Sequence, residues 1–143
     1  MDSWKRSFVT RLHEARSRCA RQFEDTLERF VVPAFEDLAE FLRDNGFKTS
    51  SPLREPERRS FKFELAENAY LLMIFRFAGV GEFELRTETF VPGVEPVLEK
   101  SGGRVLDIDA SWAQRQFQAG LDRFVDLLAE GTSAEPAEQL VTA

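Results

Sequence analysis

Three places in this chain hold residue types that could do chemistry, and each is thin. His13 is the only histidine among the 143 residues. Nucleophile–histidine–acid catalysis would have to run through it. It stands on a basic stretch at the start of the chain, far in sequence from any pocket the remainder could build, and reads as a solvated surface residue. Cys19 is the only cysteine, which excludes an intramolecular disulfide and a cysteine-based metal site. It falls on an apolar stripe, where cysteine behaves as a small hydrophobe. Arg16 and Arg18 would lower its pKa only if it were exposed.

Asp107 and Asp109 would share one face of an extended strand. Such a pair could hold Mg²⁺ or carry out acid–base work. The simpler reading is a solvated strand end followed by a helix cap. Glu82, Glu84 and Glu88 read as the outer face of a strand. No P-loop, GxGxxG or other Gly-rich phosphate cradle is present, and Gly79-Val80-Gly81 and Gly102-Gly103 read as turns. No catalytic, cofactor-binding or metal-ligating residue is assigned, and a non-enzyme is expected.

What remains distinctive is the first third of the chain. Apolar or small residues fall at Trp4, Phe8, Leu12, Ala15, Cys19, Phe23, Leu27, Phe30, Ala34, Leu38 and Phe41. The steps are three and four only, a helical stripe. The stripe keeps its phase across Pro33, which favours a kinked but continuous helix. The alternative is a break, with Pro33 in the first turn of a second helix, where proline fits well. Asn45-Gly46 should end the helix. Roughly 42 residues at 1.5 Å each make a rod of about 60 Å. A compact domain of this length is about 35–40 Å across. The rod therefore overshoots its domain while still carrying Trp4, Phe8 and Leu12. A second copy of the chain would cover them, through a contact made by Trp4, Phe8, Leu12, Cys19, Phe23, Leu27 and Phe30.

Charge is uneven along the chain. Residues 1 to 22 carry Lys5, Arg6, Arg11, Arg16, Arg18 and Arg21 against Asp2 and Glu14, so 6 − 2 = +4. The whole chain is −6, leaving −6 − 4 = −10 for the rest. The six cations are candidate contacts to an anionic partner or to the acidic body of a second copy. Nucleic acid is disfavoured, because no helix-turn-helix or zinc pattern accompanies the arm and the acidic body would repel phosphate. A membrane-surface role for Trp4, Phe8 and Leu12 with Lys5, Arg6 and Arg11 is weakened by Asp2 and Glu14.

Residues 47 to 58 read as a polar loop. SFKFELA (60–66), YLLMIFRFA (70–78) and EFELRTETF (82–90) read as strands, the middle one apolar on both faces. Arg76 interrupts that strand and should lie near its end or pair with Glu64 or Glu84. Residues 97–100 and 104–108 flank Ser101-Gly102-Gly103, a last hairpin. A final helix starts at a Ser111/Gln114 capping box or at Asp109, presents Trp112, Phe117, Leu121, Phe124, Val125 and Leu128, and stops at Gly131.

These elements define an α+β fold: a long N-terminal helix kinked or broken at Pro33, an antiparallel meander of four to five strands, and a C-terminal helix packed on the sheet. Residues 1–131 form one domain and 132–143 a disordered tail. The start MDSWKRSF lacks the apolar run of a signal peptide, and the longest apolar run, YLLMIF, is far short of a membrane span. The expectation is a cytoplasmic interaction protein, without cofactor, that forms a homodimer and binds a macromolecule. A small-molecule binder or enzyme with a pocket between sheet and helices is the alternative, and a nucleic-acid-associated protein using the basic arm is another.

Overall fold

The computed structural model describes residues 2–131 in full. Helix α1 (Asp2–Thr26) runs into a π-helical turn (Leu27–Val31) and then α2 (Val32–Arg43), with helical backbone throughout. The rod is therefore unbroken at Pro33. Val32 keeps α-helical angles (φ −59°, ψ −47°), against the usual bias of a residue before proline, and its N–H reaches back five residues to the Leu27 carbonyl. An interior proline ordinarily clashes with the carbonyl four residues back. Here that carbonyl belongs to Arg29, inside the widened turn. Pro33 thus occupies the first turn of α2, where a missing N–H is harmless, without the chain leaving the helix. Replacing Pro33 with Ala should accordingly change stability by less than about 1 kcal/mol, not by the ~3 kcal/mol of an interior proline. Urea denaturation of both proteins measures this, and a gain near 3 kcal/mol would mean that the proline is strained.

The π turn also inserts one residue into the helical phase. Phe23 is buried before it, Leu27 and Val31 at its two ends, and Phe35, Ala39 and Leu42 after it. The parallel set Phe30, Ala34 and Leu38 packs only partly against the core, and Phe41 is 61% exposed. The expectation that Phe41 continues the core stripe is corrected by that one-residue rotation. Asn45-Gly46 does end the helix. Gly46 takes φ 91° and the Phe47 N–H closes onto the Leu42 carbonyl at 3.0 Å.

The strands are β1 (Lys48–Ser50), β2 (Arg54–Glu55), β3 (Arg58–Ala66), β4 (Ala69–Phe77), β5 (Glu82–Phe90) and β6 (Val97–Arg104). Their order is β1-β3-β4-β5-β6, all antiparallel, with β2 pairing β3 beside β1. Two expectations change here. The loop over 47–58 contains the two short edge strands. The final hairpin does not form: Ser101-Gly102-Gly103 lies inside β6, paired with Leu85, Glu84 and Phe83 of β5. A Cβ at Gly102 would stand 2.7 Å from the Phe83 carbonyl oxygen, so glycine there permits close pairing and not a turn. Val105–Asp107 then forms a 3₁₀ turn before α3 (Ala110–Thr142). Gly131 does not stop that helix. It is buried where a Cβ would collide with the Pro92 carbonyl. The disordered tail expected over 132–143 lies outside the fully described residues.

Helices α2 and α3 cover one face of the sheet. The core between the layers is a phenylalanine cluster: Phe117 of α3 meets Phe35, Phe61, Phe63 and Phe75 at ring-centre distances of 5.5–6.2 Å. The other face is open. Strand alternation puts Tyr70, Leu72, Ile74 and Arg76 there, so β4 is apolar on both faces but covered on one.

Candidate self-association surface

Residues 2–16 of α1 are exposed without exception. At 1.5 Å per residue this stretch is about 22 Å long; its last turn lies against the body, where His13 and Arg16 line a cavity with Glu57, Phe77 and Val80. Trp4 and Phe8 stack on each other at 5.3 Å and remain 62% and 44% exposed; Leu12, one turn further, is 39% exposed. Nothing in this stretch disfavours helix, as it lacks glycine and proline. Arg6 and Arg11 fold back along it, their Nε–H groups donating to the carbonyls of Asp2 and Ser7.

The expected contact residues divide sharply. Trp4, Phe8 and Leu12 are exposed. Cys19 is half-buried at the arm's root, beside a cavity of about 490 Å³ that Ala20, Phe77 and Val80 also line. Phe23 and Leu27 lie inside the chain's own core, where they face the sheet and no second copy. Phe30 is partly buried and lines a second cavity of about 550 Å³ on the other side of the root, with Val105, Leu106 and Ile108. Lys5, Arg6, Arg11, Arg16, Arg18 and Arg21 are all exposed, and Arg18 and Arg21 reach this second cavity.

The sequence left three features unread. Val9 adds a further exposed side chain to the arm. Val80 and Leu106, both largely exposed, stand on turns flanking the root that are tied together by the Val105 N–H donating to the Gly81 carbonyl. Neither turn has a periodicity that could have announced its position. The third is the open sheet face, where Tyr70 and Phe90 stack at 5.5 Å beside Leu72, Ile74 and Leu98.

Two of the groups singled out for chemistry share a cavity: His13, expected far from any pocket, lines the one of about 490 Å³ with Cys19, Arg16 and Glu57, while Asp107 and Asp109 stand outside it. His13 is exposed on the arm. Asp107 accepts two hydrogen bonds from Arg104 at 3.1 Å, while Asp109 caps α3 by accepting from the Trp112 N–H at 2.7 Å. The two are therefore not neighbours on a strand face, because the 3₁₀ turn intervenes. Arg76 pairs with Glu84 as expected, Nη2 donating to Oε2 at 3.2 Å, and Lys100 Nζ lies 3.6 Å from the same oxygen. The Arg76 hydrogen bond, chief among these contacts, holds the Glu84 carboxyl below its usual range. A depressed pKa stabilises the fold at neutral pH and ceases to do so as pH falls through the folded value; at this exposed site the effect is small. Among the described residues no group of three or more His, Cys, Asp or Glu side chains could hold a metal ion, and no helix is long and apolar enough to cross a membrane.

No protein-family model, curated protein or solved structure matches this chain.

Proposed function

We propose that this chain is a non-enzymatic, cytoplasmic interaction protein that self-associates as a homodimer through the α1 arm and binds a macromolecular partner. The observation that carries this reading is the arm itself. Fifteen residues of uninterrupted, exposed helix hold Trp4, Phe8 and Leu12 on one stripe. Apolar surface left in water costs about 25 cal/mol per Å². Monomers seldom leave a contiguous patch of this kind uncovered. The unbroken backbone through Pro33 adds weight, since a hinge there would let the arm fold back on its own sheet. The ring-packed layer between sheet and helices supports an interaction protein over a pocket-based enzyme, and Arg76, Asp107 and Asp109 are each engaged elsewhere.

Light scattering on the unmodified protein tests the reading. Two chains per particle at tens of micromolar is the expected result. A monomer at that concentration sinks it.

A further inference from the structure

We propose that the cavity between the root of α1 and the 3₁₀ turn binds a small amphipathic phosphate monoester, a dianionic head on an apolar body. The cavity has a volume of about 550 Å³. Small-molecule sites usually hold roughly 300–1,000 Å³. One wall is helical and contributes Arg18, Arg21, Gln22 and Arg29. The other is the turn, where Val105 and Ile108 are buried and Leu106 is 75% exposed. Guanidinium groups and aliphatic surface therefore meet in one space. A ligand that satisfies both needs an anion and an apolar part.

The cations have no partner within the chain. Elsewhere in the body Arg59, Arg76, Arg104 and Arg123 each pair with a carboxylate. Among the described residues Arg18 and Arg21 make no hydrogen bond or ion pair. They stand one turn apart, about 4.5 Å along the axis, so their long side chains can share one group. Each guanidinium presents a fork of N–H donors that matches two phosphate oxygens. Gln22 stands beside them with an amide donor. Arg29 lies about 12 Å further along the axis. It rests on the Phe30 ring, 5.1 Å from its centre, and adds charge to the site. Asp25 is the one carboxylate in the lining, so the local sum is 3 − 1 = +2. A phosphate monoester carries about −1.5 to −2 near neutral pH and answers that charge; a single carboxylate answers half of it.

The net charge of the chain, −6, limits the size of the ligand. Screening confines each charge to about 8–10 Å, so a small anion in the cavity feels mainly the arginines. A long polyanion would run out over the acidic body. The walls are also fixed in advance. The helix is continuous through the π turn. The 3₁₀ turn is held by the Val105 N–H donating to the Gly81 carbonyl at 2.9 Å and by the Arg104 fork on Asp107 at 3.1 Å. A preformed site loses little conformational freedom on binding. The cavity on the other side of the root holds Arg16 together with Glu57, so cation and anion balance there. The site needs nothing from a second copy, and it goes beyond the self-association reading.

Calorimetric titration of the full chain with hexyl phosphate, near neutral pH and at low ionic strength, tests the site. We expect it to bind at least about tenfold tighter than inorganic phosphate, since each buried methylene is worth a factor of about four. Affinity should fall as salt is added. Arg18→Gln combined with Arg21→Gln should weaken binding at least about tenfold without moving the urea midpoint, because both side chains are exposed and unpaired. Asp25→Asn should tighten it severalfold by removing the repelling carboxylate. Leu106→Ser should erase most of the advantage of hexyl phosphate over inorganic phosphate. Lys5→Gln combined with Arg16→Gln removes the same charge from outside the cavity and should change affinity less than about twofold. Vesicles of phosphatidylcholine with and without phosphatidic acid separate the sources. Capture that requires phosphatidic acid and is lost in the Arg18/Arg21 variant assigns a lipid headgroup; binding of hexyl phosphate without vesicle capture assigns a soluble ligand. No binding of hexyl phosphate overturns the proposal. So does an affinity equal to that of inorganic phosphate, or an equal loss in the Lys5/Arg16 variant, which would show general charge attraction only. Light scattering, which decides self-association, is independent of each of these results.

Discussion

Replacing Phe8 and Leu12 together with Asp is expected to give a monomer whose sheet is intact. The two side chains are 44% and 39% exposed, and the nearest buried residue on the helix is Phe23. Their loss therefore removes no core contact, and exposed substitutions of this kind usually alter stability by less than about 0.5 kcal/mol. Their effect on association is much larger. Burying a large apolar side chain is worth about 1.5–3 kcal/mol from full exposure, and these are already roughly half covered. Counting about 1 kcal/mol for each of the four side chains in a symmetric pair, association weakens by about 4 kcal/mol, or roughly 10³-fold. Four carboxylates placed on an apolar contact weaken it further. A second readout separates association from folding. Mass action makes the denaturation midpoint of a dimer rise with protein concentration. That dependence should be clear for the unmodified protein and absent for the double variant. A variant that still scatters as two chains would place the contact elsewhere.

The fold was legible wherever a period repeated. The stripe from Trp4 onward, the alternations through Phe61–Phe63 and Phe83–Leu85, and the apolar run of β4 each named their element, because burial on one side of a helix or strand imposes that period. Three things escaped. The phase of α2 was ambiguous by one residue, since Phe30, Ala34, Leu38 and Phe41 are each followed directly by an apolar or small residue: Val31, Phe35, Ala39 and Leu42. Both sets have helical spacing, and only packing against the sheet selects the second. Paired glycines carry a turn signal in sequence, while in β6 Gly102 serves close approach to Phe83. The uncovered sheet face could not be seen, because an apolar strand does not record which of its faces another layer will reach. The candidate surface was legible in the same uneven way. Trp4, Phe8 and Leu12 followed from a length mismatch between rod and domain, but the same stripe also claimed Phe23 and Leu27, which the chain keeps for itself.

Phe117→Ala should destabilise the fold strongly. Its ring is fully buried and meets Phe35 of α2, Phe61 and Phe63 of β3, and Phe75 of β4. It is the side chain through which three elements share one contact. Removing it forfeits the transfer free energy of the ring and leaves a cavity, and such changes cost about 3–5 kcal/mol. Small domains have about 5–15 kcal/mol in total. The variant should therefore unfold at a much lower urea concentration, with the slope of the transition unchanged if the native state keeps its compactness. The four surrounding rings prefer tilted and edge-on geometries, and each is held by its own strand or helix, so they cannot collapse into the space without breaking backbone pairing. Phe117→Leu should lose distinctly less, because most of the volume remains. A loss below about 1 kcal/mol would show that the ring cluster is loosely packed and that α2 and α3 are held to the sheet by something else.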